Sequence, residues 1–334
     1  MRIGMMAALQ FTKDQSFVGK VQDSLAEIRA ARDAGFDIIT MGQHHLVNPF
    51  VMPSMWPYLG RLAAEAGDMR LASGVVLSSM HNPVDVAEQV MTMDAITGGR
   101  FVCGVGIGYR EEEFAAFGVQ RGGRLARFLE ALEIMKLVWT QDTVDYNGRF
   151  WQIPRVEVTT KPIQKPHPPV WIACNADKAV ERSGRMGHPW LINPHATVST
   201  VRKQLELFRN GLDEGGHQPP EELPMMRELY LHEDRETAWR EAQPFLYAKY
   251  QAYASWGQDK ALPGDEDFTV PFQQLAQDRF IIGTPEDCVE ELRRYRDELG
   301  VTTMIARLQW PGMPHEKTLN VIRLLGEQVL PQLV

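Results

Sequence analysis

Few cysteines, no excess of positive charge and no long apolar run characterise this sequence. Its three cysteines, Cys103, Cys174 and Cys288, are far apart and odd in number, which favours reduced thiols over a disulfide or zinc framework. The formal net charge of -8 argues against a nucleic-acid partner. No uninterrupted run reaches the roughly 20 apolar residues of a membrane span. We therefore expect a globular, cytoplasmic protein.

The signatures of several common enzyme classes are also missing. Gly104-Val-Gly-Ile-Gly108 is not a dinucleotide fingerprint, because G-x-G-x-x-G would require glycine at Tyr109. The chain has neither a G-x-x-x-x-G-K-[ST] nor a G-x-S-x-G segment, so nucleotide hydrolysis and serine-hydrolase chemistry lack their usual anchors. It has no His-x-His pair, and the adjacent His44 and His45 would point to opposite faces of a strand. We expect no metal site.

What is present is a repeated alternation of buried-strand and amphipathic-helix patterns. Apolar strand patterns cover residues 3–9, 36–45, 70–77, 100–107, 170–174, 190–193, 225–231 and 302–308. Helix patterns cover residues 18–34, 54–66, 84–96, 125–139 and 319–330, and 144–151 reads as a hairpin turning at Asn147-Gly148. The alternation predicts one TIM (β/α)8 barrel over residues 1–334, with a mobile insertion at about 255–280.

Candidate site residues follow the predicted strands. His44 lies at the carboxyl end of the second strand, where one histidine should face the barrel mouth while the other packs behind it. Asn175, Ala176 and Lys178 begin a helix whose free N–H groups can hold a phosphate, with Lys178 or Arg182 adding charge, although helix capping is the commoner role of a residue such as Asn175. Arg110 is either a phosphate contact or a solvated arginine. Large apolar side chains near the mouth predict a hydrophobic substrate pocket formed by Met6, Phe50, Met52 and Trp56.

Taken together, short motifs along the chain resemble the bacterial luciferase-like flavin monooxygenases, including the alkanal monooxygenase subunits. The matching segments are Gln43-His-His45, Ser79-Met-His-Asn-Pro-Val84, Met93-Asp-Ala-Ile-Thr-Gly-Gly-Arg-Phe101, Gly104 to Gly108 followed by Glu113-Phe and Phe117-Gly118, Lys165-Pro-His-Pro-Pro-Val170, and Ile282-Gly-Thr-Pro-Glu-Asp287. Each segment is short, but their order and spacing extend the resemblance over nearly the whole chain.

The resemblance implies a flavin-dependent monooxygenase on a TIM barrel. Reduced FMN, supplied by a separate flavin reductase, would react with O2 to form a C4a-hydroperoxyflavin that oxidises a hydrophobic substrate. His44 would be the acid/base residue. The cofactor contacts implied by the family or suggested by the helix start are Ala7, Ala8, Val75, Val76, Leu77, Ser78, Gly106, Arg110, Asn175, Ala176 and Lys178. A non-proline cis peptide is expected at Gly74-Val75.

Two positions depart from the family pattern. Family members often carry Glu before the two histidines, whereas this sequence has Gln43, which leaves His44 without a neighbouring carboxylate. Small hydroxyl residues that grip the phosphate in luciferase are replaced by Ala176 and Ala179. Phosphate binding must then depend on backbone N–H groups, Asn175, Lys178 or an arginine. Weak, exchangeable flavin would suit an enzyme fed by a reductase.

Three alternatives remain open from the sequence. The first is an F420-dependent oxidoreductase, which has the same fold and fits the same glycine-rich mouth. The second is a non-catalytic flavin-binding relative. The third, a metal-dependent hydrolase, is disfavoured because the sequence has no His-x-His pair. Family members pair through the helices after the second and third strands, here Ser54 to Ala66 and Val84 to Ile96, so we expect a homodimer. The identity of the substrate and the product is not encoded in any motif.

Overall fold

The computed structural model describes residues 1–7, 10–264 and 266–333, and a closed parallel barrel lies at its centre. The strands are β1 (Arg2–Met6), β2 (Ile38–Met41), β3 (Arg70–Ser73), β4 (Val76–Leu77), β5 (Phe101–Gly106), β6 (Thr143–Asn147), β7 (Gln152–Glu157), β8 (Val170–Ala173), β9 (Trp190–Leu191), β10 (Pro224–Leu231), β11 (Ile281–Gly283) and β12 (Thr303–Arg307). Barrel neighbours follow chain order through β1, β2, β3, β5, β8, β9, β10 and β12, and β12 pairs with β1. The barrel closes where Ile192 bridges to Met225.

Helices surround the barrel. They are α1 (Phe17–Asp33), α2 (Met55–Ala63), α3 (Pro83–Ile96), α4 (Glu111–Ala116), α5 (Arg124–Thr140), α6 (Asp177–Arg185), α7 (Val198–Gly215), α8 (Arg235–Ser255), α9 (Phe272–Ala276), α10 (Pro285–Leu299) and α11 (His315–Leu324). The Thr284-Pro-Glu-Asp287 motif has a structural role, because Thr284 and Asp287 form a capping box at the start of α10. No helix in the described part of the chain is long and apolar enough to cross a membrane.

The barrel interior is filled by one buried side chain from each of its eight strands. This inner layer consists of Met6, Ile38, Ala72, Val102, Trp171, Leu191, Met226 and Ile305. Because side chains alternate along a strand, residues two positions further toward the carboxyl end also point inward, one layer higher. This rule directs Asn193 and Arg307 toward the mouth.

The predicted TIM barrel is confirmed, with several differences in detail. The third predicted strand is split into β3 and β4 by the Gly74-Val75 peptide, which is cis as expected. The hairpin turn was placed wrongly: Asn147 pairs with Gln152 as the last residue of β6, so the connection is 148–151. The predicted insertion contains α9 and is followed by β11, which pairs with β10 outside the barrel and which the sequence patterns missed.

Candidate active site

A cavity of about 440 Å³ lies at the carboxyl ends of the barrel strands. Eight of the predicted site residues line it, namely Met6, His44, Met52, Val75, Leu77, Gly106, Asn175 and Ala176. They come from five successive strand ends and the loop after β2, which explains how residues distant in the chain meet here. The strand-end argument placed these eight residues at the barrel mouth, where the structure also has them, and what they bind stays a prediction.

The remaining predicted residues lie elsewhere. Ala7, Val76 and Ser78 are buried beside the cavity without lining it, and Lys178 is exposed. Phe50 and Trp56 pack against other aromatic rings. The centroid of the Phe50 ring lies 6.1 Å from that of Trp256, and the centroid of the Trp56 ring lies 6.2 Å from that of Phe101. Ala8 lies outside the described residues.

Arg110 is a buried structural residue. Its Nη1 donates to the His45 carbonyl at 2.9 Å and lies 3.4 Å from Glu113 Oε1, while its guanidinium sits 4.7 Å from the centre of the Trp256 ring. A guanidinium held by a carbonyl, a carboxylate and an aromatic face stabilises the loops around the mouth. Neither Arg110 nor Lys178 is among the residues that contact the cavity.

His44 and His45 point in different directions. His44 lines the cavity, whereas the His45 ring packs 4.5 Å from the Phe117 ring and 5.6 Å from the His81 ring. Burial lowers the pKa of His45, despite the nearby charge of Glu113, so His45 is neutral at physiological pH. Among the residues that the structure describes, no group of three metal-ligating side chains converges.

A carboxylate does contact His44, and the prediction that it lacked one is wrong. Glu113, on α4, accepts a hydrogen bond from His44 Nδ1 at 3.0 Å and another from the His45 N–H at 2.8 Å. Burial alone would raise the pKa of Glu113, but these hydrogen bonds and the charge of Arg110 outweigh it and hold the pKa below its usual range. A carboxylate can only accept, so Nδ1 carries the proton and Nε2 is the ring nitrogen left for other partners.

Gln43, at the position where family members often carry Glu, makes structural hydrogen bonds and does not contact His44 through a carboxylate. Its Oε1 accepts from the Leu77 N–H at 2.9 Å and from His81 Nε2 at 3.1 Å. The pKa of His81 is lowered to about 4, chiefly by burial, so its neutral ring donates to this amide. Gln43 thereby ties the loop after β2 to β4 at the edge of the cavity.

The alternating glycines of β5 are explained by close packing. A Cβ at Gly104 would collide with the Ser73 carbonyl, and a Cβ at Gly106 would lie 2.8 Å from Val75 Cγ2. Both glycines therefore allow β3 and the following Gly74-Val75 segment to approach β5. Gly106 also lines the cavity, so this packing sets the position of the cavity wall.

The cavity is positively charged within a chain of net charge -8. Five cationic side chains line it, and no Asp or Glu is found among the described residues of the lining. The cations are Arg121, Arg124, Arg182, Lys260 and Arg307. Arg124 Nε is buried without a hydrogen-bond partner in the described structure. A lining with this imbalance favours anionic ligands.

Of these cations, the sequence pointed only to Arg182, as a charge that could assist a phosphate beside Lys178, and it did not identify Glu113 as a site residue. Arg124 and Arg182 occupy helices that follow β5 and β8, and Arg307 ends the last barrel strand. The position of Arg307 at a strand's carboxyl end was a usable signal. Arg182 was suggested by its helix start, whereas nothing local marks Arg124, since arginine is common on exposed helix faces.

Comparison with known proteins places this geometry in a family. The model of the luciferase-like monooxygenases matches residues 1–303. The chain is 24% identical over 313 residues to the oxygenase component of a flavin-dependent trigonelline monooxygenase of Acinetobacter baylyi, covering 88% of this chain and 86% of that protein. It is also 24% identical to an F420-dependent glucose-6-phosphate dehydrogenase of Nakamurella multipartita, covering 91% and 90% of the two chains. Uncharacterized protein y4vJ of Sinorhizobium fredii is 30% identical, over only 52% of this chain and 50% of that protein.

Solved structures share the whole fold. Monooxygenase RslO1 from Streptomyces bottropensis superposes with a TM-score of 0.88 at 25% identity and covers 100% of both chains. The oxygenating constituent of 3,6-diketocamphane monooxygenase from Pseudomonas putida, solved with FMN, gives 0.81 at 14% identity and covers 99% of this chain and 98% of that one. With the family model matching most of its length, the chain belongs to the luciferase-like monooxygenase family.

Proposed function

We propose that this protein is the oxygenase component of a two-component, FMN-dependent monooxygenase. It receives reduced FMN from a separate reductase and uses O2 to oxidise a small organic substrate. The observation that carries the proposal is one cavity lined by five cations and no described carboxylate, into which His44 projects while its Nδ1 is hydrogen-bonded to the buried Glu113. The flavin-dependent trigonelline monooxygenase similar to this chain is itself an oxygenase component, which supports the reductase partner.

The residues present fit an FMN phosphate. Arg121, Arg124 and Arg182 line the cavity, as do Asn175 and Ala176 at the start of α6. Ala176 is the N-cap of α6 and has no polar side chain, so the first N–H groups of the helix receive no side-chain cap from it. Guanidinium groups and free helix N–H groups are both good phosphate donors. We assign the phosphate to these three arginines and the start of α6, in place of the contacts expected from Lys178 and Arg110.

The chain's own residues would orient the reaction and handle a proton. When bound, reduced flavin supplies the oxygen-activating chemistry. Glu113 holds His44 with Nδ1 protonated, so His44 Nε2 can give or take a proton on the cavity side. Met6, Val75 and Leu77 form an apolar wall that keeps water away from the reacting groups.

Stopped-flow absorbance tests the proposal directly. Purified protein with reduced FMN is mixed with oxygenated buffer, and the expected result is a long-lived transient spectrum before oxidised FMN returns. The His44→Ala variant should bind FMN normally but lose most substrate-coupled turnover. Immediate reoxidation at the rate of free FMN would overturn the proposal. Flavin binding without any substrate-dependent oxygen uptake would instead indicate a non-catalytic relative.

F420 is the second candidate cofactor, because the F420-dependent relative is as similar as the trigonelline monooxygenase. The cationic lining also suits any cofactor with a negatively charged tail. Parallel titrations with FMN and F420 decide between them. Tighter binding of F420, with hydride transfer that is independent of O2, would replace the monooxygenase assignment.

We further propose a homodimer that pairs through α2 and α3. Ile96, at the end of α3, leaves 54% of its surface exposed, and a partner helix would cover this apolar surface. Light scattering after size-exclusion chromatography measures the mass. An Ile96→Glu variant that shifts a wild-type dimer to the monomer mass would support this pairing, whereas an unchanged dimer would place the interface elsewhere.

A further inference from the structure

A second set of polar side chains lines the same cavity in addition to Arg121, Arg124 and Arg182. Asn193 follows β9 and Arg307 ends β12, and both point inward above the barrel's inner layer. The two side chains are 9% and 5% exposed, so each is nine-tenths or more buried. His195 and Tyr253 line the cavity with them. Polar groups this well buried normally have partners within the protein.

The amide of Asn193 offers an unused donor to the cavity. Its Oδ1 accepts from the His195 N–H at 2.8 Å and from the Ala196 N–H at 3.0 Å. These two donors fix which end of the amide is oxygen, and the NH2 group is therefore the end left over. Asn193 Nδ2 is buried and has no acceptor among the residues that the structure describes.

Arg307 is also incompletely satisfied. Its Nη2 lies 3.4 Å from the Tyr253 hydroxyl and its Nη1 lies 3.8 Å from Glu228 Oε1, both at or beyond the limit of a good hydrogen bond. Its Nε is buried with no partner in the described structure. Glu228 already receives stronger contacts from Lys249 and from Trp310 Nε1. The guanidinium therefore retains donors for a ligand.

The charges around this region leave an excess of positive charge. Burial and the charges of four nearby cations lower the pKa of His195; the cations are Lys249, Arg307, Arg279 and Arg227. Two carboxylates pair with members of this set: Glu228 with Lys249 and Arg307, and Glu266 with Arg279. Four cations against two carboxylates leave an excess of two positive charges when Lys249 is protonated and of one when it is neutral. Burial and the charge of Arg307 lower the pKa of Lys249 to about 7, although Glu228 opposes this. An anionic group here would relieve the imbalance.

We propose that Asn193 and Arg307 form a subsite for a carboxylate on the substrate, so that the enzyme oxidises a small, largely apolar organic acid. This inference rests on the proposed function, since it takes the cavity to be the substrate site. It refines the hydrophobic substrate expected from the sequence. A carboxylate supplies two coplanar acceptor oxygens, which match a guanidinium and a neighbouring amide donor. Met226 and Tyr253 provide the adjacent apolar and aromatic surface.

Two acid–amide pairs test the subsite without knowledge of the natural substrate. Benzoate and benzamide, and nicotinate and nicotinamide, are titrated into the full-length protein by calorimetry, with and without saturating FMN. We expect at least one acid to bind about tenfold or more tightly than its amide, as one charge-assisted contact provides. No preference for the acid in either pair, or no binding of either acid at millimolar concentration, would overturn the proposal.

Variants assign the preference to the two residues. Asn193→Asp keeps an oxygen to accept from the His195 and Ala196 N–H groups but replaces the donor with negative charge, and Arg307→Met removes the guanidinium. Both should abolish the preference for the acid, and Arg307→Lys should retain part of it. Arg296→Met, which removes an exposed arginine far from the cavity lining, should leave it unchanged. An acid preference that survives in both Asn193→Asp and Arg307→Met would remove the subsite.

The FMN titration separates the substrate from the flavin as the source of the anion. We expect Asn193→Asp and Arg307→Met to leave FMN affinity nearly unchanged. If they weaken FMN as much as the acid, the residues hold the flavin and the carboxylate subsite is wrong. If wild-type protein binds no FMN at all, the proposed function fails, while the acid preference measured without flavin still decides the subsite.

Discussion

His44 Nδ1 and Glu113 Oε1 lie 3.0 Å apart although 69 positions separate the two residues in the chain. One belongs to the loop after β2 and the other to α4 after β5, so the barrel alone brings them together. Glu113 is fully buried, whereas His44 reaches the cavity. This arrangement lets a buried carboxylate set the tautomer and the direction of a ring that can touch the substrate.

Replacing Glu113 by Gln should reduce substrate-coupled turnover by roughly tenfold to a hundredfold, because His44 loses the charge that holds Nδ1 protonated. FMN affinity should change little. The measurement is kcat in the coupled assay together with an FMN titration. Glu112→Gln, an exposed neighbour on α4, is the matched control and should behave as wild type.

A double variant shows whether Glu113 acts through His44. If it does, His44→Ala with Glu113→Gln should be no slower than His44→Ala alone, because the two residues work as one unit. Multiplicative losses would mean that Glu113 contributes to turnover by a separate route, for example by holding the His45 backbone.

Arg182→Met should weaken FMN binding by roughly tenfold while leaving riboflavin affinity unchanged, because only FMN carries the phosphate that this arginine would hold. Fluorescence titration of both flavins measures the effect. Arg185→Met on the same helix is the control, since Arg185 is exposed and pairs with Glu214. If FMN and riboflavin binding are weakened equally, Arg182 does not hold the phosphate and the assignment of the phosphate to α6 is wrong.

Gly106→Ala should destabilise the fold by about 1–3 kcal/mol, the usual range for forcing an extra methyl group into a packed site. The new Cβ would lie 2.8 Å from Val75 Cγ2 and would push the cavity wall, so FMN affinity should fall as well. Urea unfolding and a flavin titration measure both effects. Gly60→Ala, where a Cβ meets nothing within 4 Å in its own chain, should leave both unchanged or slightly raise stability, provided light scattering shows the same oligomeric state as wild type. If Gly106→Ala has the stability and FMN affinity of wild type, the Val75 side chain can shift to accommodate the added Cβ, and the prediction is wrong.

His188 should make the fold sensitive to acid. Burial and the charge of Lys136, whose Nζ lies 2.7 Å from His188 Nε2, lower the pKa of His188 from 6.5 to about 3. Below pH 6.5 the unfolded chain binds a proton that the folded chain refuses until about pH 3, so stability falls as the pH drops through this window.

The His188→Asn variant should therefore lose less stability than wild type when the pH is lowered from about 7 to about 4. Thermal unfolding across this range compares the slopes, and His232→Asn, which follows β10 and is not among the groups that lower the pKa of His188, serves as the control. Parallel wild-type and His188→Asn curves would show that other groups dominate the acid response.

Much of the fold was predictable because strand and helix periods are local properties. The alternation of patterns located every barrel strand, and the resemblance placed the cis peptide at Gly74-Val75. Local signals misplaced the hairpin turn at Asn147 and missed β11, whose three residues are too few to show a period. His44 could be placed at the cavity because it follows a predicted strand, whereas Glu113 was recognised only as part of a motif.

The sequence by itself determined the (β/α)8 architecture, the family and the end of the barrel that carries the cavity, since these follow from patterns within short segments. The tertiary structure alone decided which side chains share that cavity. Glu113 contacts His44, and the cavity lining brings together Arg121, Arg124, Arg182, Asn193 and Arg307, which lie on or follow different strands and helices. Contacts of this kind depend on barrel closure and strand register, which bring distant residues together and leave no local trace in the chain.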